Sequence, residues 1–360
     1  MLSNMTGTDY GAEFVSPVTL SSDWSRVARL LLLSSMSAIG SIGNVFMISA
    51  VMIEDYLRKR GNAFVVNVAL ADLLVSGLLV PASAVMILAD LPETLTVCKF
   101  HWFLAALCFL VTVLSIAAIA VENYIRLCCT PRVYEVLTPC RITTILLTIW
   151  TVCAITSGLQ FTSDLSFDYC RRKWKGLFPY QASVAVIFVL VPLTLTLFCY
   201  AKAKYKIRMV KSRPSFKPPV TFGWDYNLML TNIYSFVLFI VFWLPFGVVL
   251  ALDTTVRTVS DNVFYHIAWF AISKSCVNNI LYCVTNRHFR GAYVNLFHYC
   301  CCKTTVSFSR RQRPDGTRPS GDVRVHIIPG YNMYCSPQRG REAQGKRCSG
   351  RLNGRDVYEL

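Results

Sequence analysis

The stretch Ala271-Ile272-Ser273-Lys274-Ser275-Cys276-Val277-Asn278-Asn279-Ile280-Leu281-Tyr282 lies inside an apolar run over residues 263–284. A run of that length crosses about 30 Å of hydrocarbon as an α-helix. It carries one ammonium, Lys274. A charge at that depth is costly unless a partner neutralises it, so an ionisable residue there marks a functional position. The run holds no acid of its own, and the partner has to come from another span.

Six further apolar runs precede it, over residues 27–52, 63–88, 97–128, 142–162, 177–203 and 228–250. Each is continuous rather than alternating, which excludes a β-barrel. The 360 residues are 54% hydrophobic with a mean hydropathy of +0.45, more apolar than a soluble chain of this length. The predicted fold is an all-α membrane protein, a seven-helix bundle, with residues 1–26 as an extracellular tail and 27–302 as the bundle domain. The net charge of +16 is unevenly spread: besides the basic residues 303–360, it falls between the runs, at Arg58, Lys59 and Arg60, then Arg132 and Arg141, then the lysine-rich stretch from Lys202 to Lys217. Placed on one side, these satisfy the positive-inside rule without any nucleic-acid partner and leave the N-terminus outside. One loop breaks that rule. Cys170-Arg171-Arg172-Lys173-Trp174-Lys175 is strongly basic on the outer side.

No cleavable signal peptide is apparent, and Asn4-Met5-Thr6 is a glycosylation sequon on the outer tail. After the seventh run, residues 286–298 mix basic and apolar residues at helical spacing, predicting a short amphipathic eighth helix on the inner surface. Cys300, Cys301 and Cys302 follow it, a pattern for palmitoylation. Residues 303–360 are rich in Arg, Ser, Gly and Pro and are expected to form a disordered cytosolic tail. The fifteen cysteines show no metal-ligand spacing, and no cofactor is expected.

Several motifs fall in order at matching depths. They are Gly43-Asn44-Val45, Leu70-Ala71-Asp72-Leu73-Leu74, Cys98, Glu122-Asn123-Tyr124, Trp150, Pro192 with Tyr200, Phe242-Trp243-Leu244-Pro245, and Asn278 to Tyr282 followed by Phe289-Arg290. Together they resemble the rhodopsin-like G-protein-coupled receptors. Within that class, Phe64 to Asp72 and Ser275 to Tyr282 are similar to the melatonin-receptor-like group, which also lacks the usual Pro of N-P-x-x-Y. The resemblance implies a non-enzymatic plasma-membrane receptor for an extracellular ligand, partnered by a heterotrimeric G protein and arrestin. It implies a disulfide between Cys98 and Cys170, a ligand-responsive Trp243, switch residues Tyr200 and Tyr282, and a G-protein-facing Glu122, Asn123 and Tyr124.

The group's melatonin contacts do not carry over well. Gln160 stands where it has Asn, and Arg172 and Trp174 stand where it has Phe and Gln. These three, with Trp243, are the candidate ligand contacts. Amine receptors place an Asp seven residues after the third-helix Cys, where this chain has Ala105. A retinal lysine would sit at Ile272, which puts Lys274 about 200° out of register. The basic outer loop favours an anionic or lipid-like ligand gripped by Arg172.

Two departures bear on signalling. Asn123 replaces the Arg of the family's Asp/Glu-Arg-Tyr, which lowers the expected coupling and leaves an alternative: a seven-span scaffold that binds arrestin or a partner receptor. The second departure is Lys274. In the family, an acid on helix two, a hydroxyl on helix three and two Asn on helix seven hold a sodium ion. The matching residues are Asp72, Thr112, Lys274 and Asn278. The expectation is that the Lys274 ammonium occupies the ion's place and pairs with Asp72.

Overall fold

The computed structural model describes residues 17–20, 24–92, 94–163, 165, 167–174, 178–212, 220–255, 259–302, 305–310 and 323–328. Among the described residues, seven helices are long and apolar enough to cross a membrane: α1 Arg26–Ile53, α2 Asn62–Leu88, α3 Leu95–Cys128, α4 Pro139–Thr162, α5 Pro179–Lys211, α6 Phe222–Leu252 and α7 Asp261–Thr285. The eighth, α8 Arg287–Cys302, follows α7 after Asn286.

Side-chain caps start three of these helices. Ser25, Thr94 and Ser260 each accept a hydrogen bond from the backbone N–H three residues on, satisfying donors that have no partner inside the helix. Prolines shape two others. Pro81 in α2 and Pro192 in α5 clash with the carbonyl four residues back, and each is preceded by a widened turn, over Val75–Leu79 and Val186–Leu190. In those turns Val80 and Val191 donate to carbonyls five residues earlier.

Helix α3 packs against α2, α4, α5 and α6, while α1 packs on α2 and α7. Buried amides fasten the bundle. Asn44 Nδ2 donates to the Ser275 carbonyl at 3.0 Å, tying α1 to α7. Asn67 bridges α3 and α4, donating to Ser115 Oγ at 2.8 Å and accepting from Trp150 Nε1 at 2.7 Å. Asn279, where N-P-x-x-Y has Pro, lies over Gly43; a Cβ on Gly43 would sit 2.3 Å from its side-chain carbon. The opposite faces present Leu31, Ile42, Leu78, Leu147, Phe198 and Val284 outward, as hydrocarbon requires. Helix α8 is two-faced: Phe289 and Ala292 are buried against the bundle and Phe297 is exposed.

The apolar runs understate two helices. Helix α5 continues to Lys211 and the helix containing α6 begins at Val220, well beyond the expected ends at residues 203 and 228. Lys, Arg and Tyr sustain a helix in water as well as in lipid, so an apolar window stops before the helix does. Between α4 and α5, β1 Phe167–Asp168 pairs antiparallel with β2 Lys173–Trp174. In the stretch expected to be disordered, β3 Thr305–Arg310 is paired with β4 Val323–Ile328; Asn4 and residues 303–304, 311–322 and 329–360 lie outside the described residues.

Candidate functional site

At mid-bundle, α7 and α2 bring opposite charges together. Lys274 Nζ donates to both oxygens of Asp72, at 3.0 and 2.9 Å. The two side chains are 3% and 5% exposed. Asn278 Nδ2 reaches the same carboxylate at 3.4 Å, and its Oδ1 accepts from Ser235 Oγ at 2.7 Å. Beside the pair is a cavity of about 20 Å³, lined by Thr112, Cys108, Phe109 and Trp243 among others, which is room for one water. The ammonium thus lies against both oxygens of Asp72.

Toward the end carrying the disulfide, a larger cavity of about 510 Å³ opens between α3, α4, α5 and α6. Phe109 and Trp243 form the boundary it shares with the ion-pair cavity. Among the described residues its lining is aliphatic and aromatic, with the amides of Gln160 and Gln181 as its principal polar groups and no charged residue. Gln181 Oε1 accepts the Phe167 N–H at 2.9 Å, fixing one amide and pinning the β1 strand at the rim. The Cys98–Cys170 disulfide holds this loop to α3. Trp102 of α3 stacks on Tyr169 of the loop, ring centroids 4.4 Å apart.

Arg172 does not line this cavity. Its guanidinium is 1% exposed, lies 2.5 Å from Asp261 Oδ1, donates to the Val259 carbonyl at 2.8 Å and rests over the Phe264 ring. The residue adopts φ 47°, a region unusual for a side chain of this size, and these contacts hold it there. The anion grip expected of it is therefore already taken by Asp261. The Trp174 side chain and Lys175 lie outside the described residues.

At the opposite end, Glu122 and Asn123 are buried near the end of α3. Arg126, one turn on, lies 3.0 Å from Glu122 Oε1, 2.5 Å from Asn123 Oδ1 and 2.5 Å from Asp225 of α6. Lys59, from the loop after α1, also pairs with Asp225. Tyr134 donates to Glu122 at 3.2 Å; burial and that carboxylate push its phenol up to about 12, so it remains a donor. Gly61 is required by this packing, since a Cβ there would lie 2.2 Å from the Glu122 carboxylate. Tyr282 donates to Asn232 of α6 at 2.8 Å, and Tyr200 is buried beside Asn123.

The family model for the 7 transmembrane receptor (rhodopsin family) matches residues 43–282. The chain belongs to that family. Among curated relatives, melatonin receptor type 1B-B of Danio rerio is 31% identical over 331 residues, covering 86% of this chain and 91% of that protein. Melatonin receptor type 1B of Mus musculus is 28% identical over 304 residues, 77% and 79% of the two chains. Melatonin receptor type 1A of Mus musculus is 27% identical over 292 residues, 77% and 82%. The receptor is thus a non-enzymatic multi-pass membrane protein that resembles the melatonin receptors.

The receptor bundle brings Asp72, Lys274 and Asn278 into contact, with Thr112 at the edge of the same cavity. It places Gln160 and Trp243 on the large cavity and Arg172 away from it. Cys300 is exposed at the end of α8, while the side chains of Cys301 and Cys302 are outside the described residues. Motif reading gave no role to Asp225 or Arg126 and read Lys59 only as an inner-side charge. A lone acid eight residues after the last basic residue of a loop gives no motif; its meaning appears only when α6 is extended by two turns to include it.

Proposed function

We propose that this receptor sits in the plasma membrane with its N-terminus outside and passes the binding of an uncharged, lipophilic ligand to a heterotrimeric G protein. One observation carries the reading. The 510 Å³ cavity is apolar, and its floor, Phe109 and Trp243, is also the wall of the ion-pair cavity between α2, α3 and α7. A ligand resting on that floor bears directly on the contact that ties α2 to α7. Its size is that of a small-molecule site, and a few convergent polar groups in an apolar cleft are what orient such a ligand. Gln160 and Gln181 are those groups. The lining's lack of charge argues for the lipid-like half of the sequence expectation and against the anionic half. Arrestin is the second expected partner, and acylation of Cys300–Cys302 would fix α8 to the inner leaflet.

Melatonin, which the relatives are named for, is the first uncharged probe to try. The test uses purified receptor in lipid nanodiscs with a purified G-protein heterotrimer, and reads guanine-nucleotide exchange. The panel is melatonin, an uncharged monoacylglycerol and a long-chain fatty acid. An uncharged member should stimulate exchange, and Ala182→Phe, which fills the cavity, should abolish the response. Stimulation by the fatty acid alone, unchanged by Ala182→Phe, would overturn the ligand class. Failure of every heterotrimer class to exchange, with the probe bound, would overturn the coupling.

A further inference from the structure

Four uncharged residues ahead of α1 are built into the bundle. In Pro17-Val18-Thr19-Leu20, Val18 is 1% exposed and Leu20 is 4% exposed, and Pro17 is buried as well. Val18 belongs to a buried apolar cluster with Met86 of α2, Phe167 of β1, Phe246 of α6, and Phe264 and Ala268 of α7. Leu20 belongs to a second cluster, with Leu33 of α1, Ile87 of α2 and Trp269 of α7. Between these two anchors the Thr19 carbonyl accepts from Arg29 Nη1 of α1 at 3.3 Å. The segment therefore closes the end of the bundle that carries the disulfide. Two members of the Val18 cluster, Phe167 and Phe246, also line the 510 Å³ cavity.

A segment this short is held reversibly. Ordering four backbone residues and burying their aliphatic side chains are free-energy terms of the same order and opposite sign. Leu20 adds a cost of its own, because its φ of 65° is left-handed, a region that a bulky side chain seldom enters. In favour of the bound state, the chain supplies the segment in cis, at the high effective concentration that a short tether gives. On leaving, the segment uncovers an apolar groove between α2, α7 and β1. That groove fits an extended peptide with aliphatic side chains two residues apart.

We propose that Pro17–Leu20 is a tethered peptide ligand of this groove, and that its release opens the cavity to water and sets how fast the uncharged ligand exchanges. The proposal rests on the cavity reading above. The two are separable, because opening can be measured with no ligand and no G protein present.

Ala106 of α3 lines the cavity. In the Ala106→Cys receptor in nanodiscs, reaction with a charged thiol reagent, which does not enter through lipid, is followed cysteine by cysteine by mass spectrometry. The new thiol should react slowly. Val18→Asp should speed the reaction by at least about ten-fold, the factor that loss of one buried valine produces. Arg29→Gln, which frees the Thr19 carbonyl, should speed it too. Cys153, 0% exposed, should stay unlabelled in every variant, which separates release from unfolding. A synthetic peptide of residues 16–22, at about millimolar concentration, should slow the Val18→Asp reaction again, and the same peptide with Val18→Asp should not. Dissociation of melatonin, used as the uncharged probe, should be faster from Val18→Asp than from the parent. An unchanged thiol rate in Val18→Asp would overturn the plug. A faster reaction that the peptide cannot slow would overturn the groove as a peptide site. A faster reaction with unchanged melatonin dissociation would overturn the control of ligand exchange. A faster reaction in a receptor that binds no melatonin would support the plug and overturn melatonin as an occupant of the cavity.

Discussion

Replacing Lys274 with Met keeps most of the side-chain volume and removes the charge. The structure then leaves Asp72 5% exposed, with the Asn278 amide at 3.4 Å as its remaining polar contact. A stranded buried charge of this kind costs about 3–5 kcal/mol. The adjoining cavity of about 20 Å³ admits one water, which lowers the expectation to the bottom of that range. Asp72→Asn strands the ammonium instead and should cost a similar amount. The double variant Asp72→Asn with Lys274→Met holds no charge, and replacing a whole buried pair is commonly neutral or better. The double variant should therefore be more stable than either single one, with a coupling of at least about 2 kcal/mol. Unfolding in detergent can be followed with a thiol-reactive fluorophore, because Cys108, Cys153 and Cys199 are buried in the fold. Additive losses, with the double variant as unstable as the sum of the singles, would mean that the two charges do not stabilise each other.

Gly61→Ala drives a Cβ to 2.2 Å from the Glu122 carboxylate and should cost about 1–3 kcal/mol in the same assay. Gly158→Ala, where a Cβ meets nothing within 4 Å, is its silent control. Gly43→Ala should be destabilising for the same reason, against Asn279. Arg172→Ala should lower stability by only about 1 kcal/mol, since Asp261 is 52% exposed and solvent takes over from the guanidinium. Because Arg172 is outside the cavity, the same variant should leave the preference between charged and uncharged ligands as it was, measured by competition with the panel described above.

The seven spans were legible because hydrocarbon demands continuous apolar runs, and the demand is strongest where the helices touch lipid. Lys274 and Asp72 were legible for the complementary reason: charges are so costly at that depth that two opposite ones at matching depth have to meet. Beyond the hydrocarbon that pressure vanishes. The run over residues 204–211 is helical but basic, and does not stand out from a loop by hydropathy; the turn before Asp225, Thr221-Phe222-Gly223-Trp224, is cut off from the apolar run of α6 by Asp225 itself. Asp225 was missed for this reason, and Lys59, read only as an inner-side charge, was given no partner. Arg172 shows the opposite failure. A basic outer loop was read as ligand-facing, yet the sequence gives no sign of how the loop turns, and the turn carries the guanidinium to Asp261. Gln181 was invisible as a cavity residue because nothing in its neighbourhood says which face of α5 looks inward.

We infer that the Lys274 ammonium stands where a dissolved cation would otherwise meet Asp72. A sodium titration tests this. Melting is measured as NaCl replaces choline chloride at constant ionic strength, for the parent and for Lys274→Asn. The parent should show no dependence on sodium, since both Asp72 oxygens are held by the ammonium at 2.9 and 3.0 Å. Lys274→Asn should be stabilised as sodium rises, its freed carboxylate now sharing the cavity with Thr112 and Asn278. A parent receptor whose melting rises with sodium as steeply as that of Lys274→Asn would show that Asp72 stays open to the ion beside Lys274.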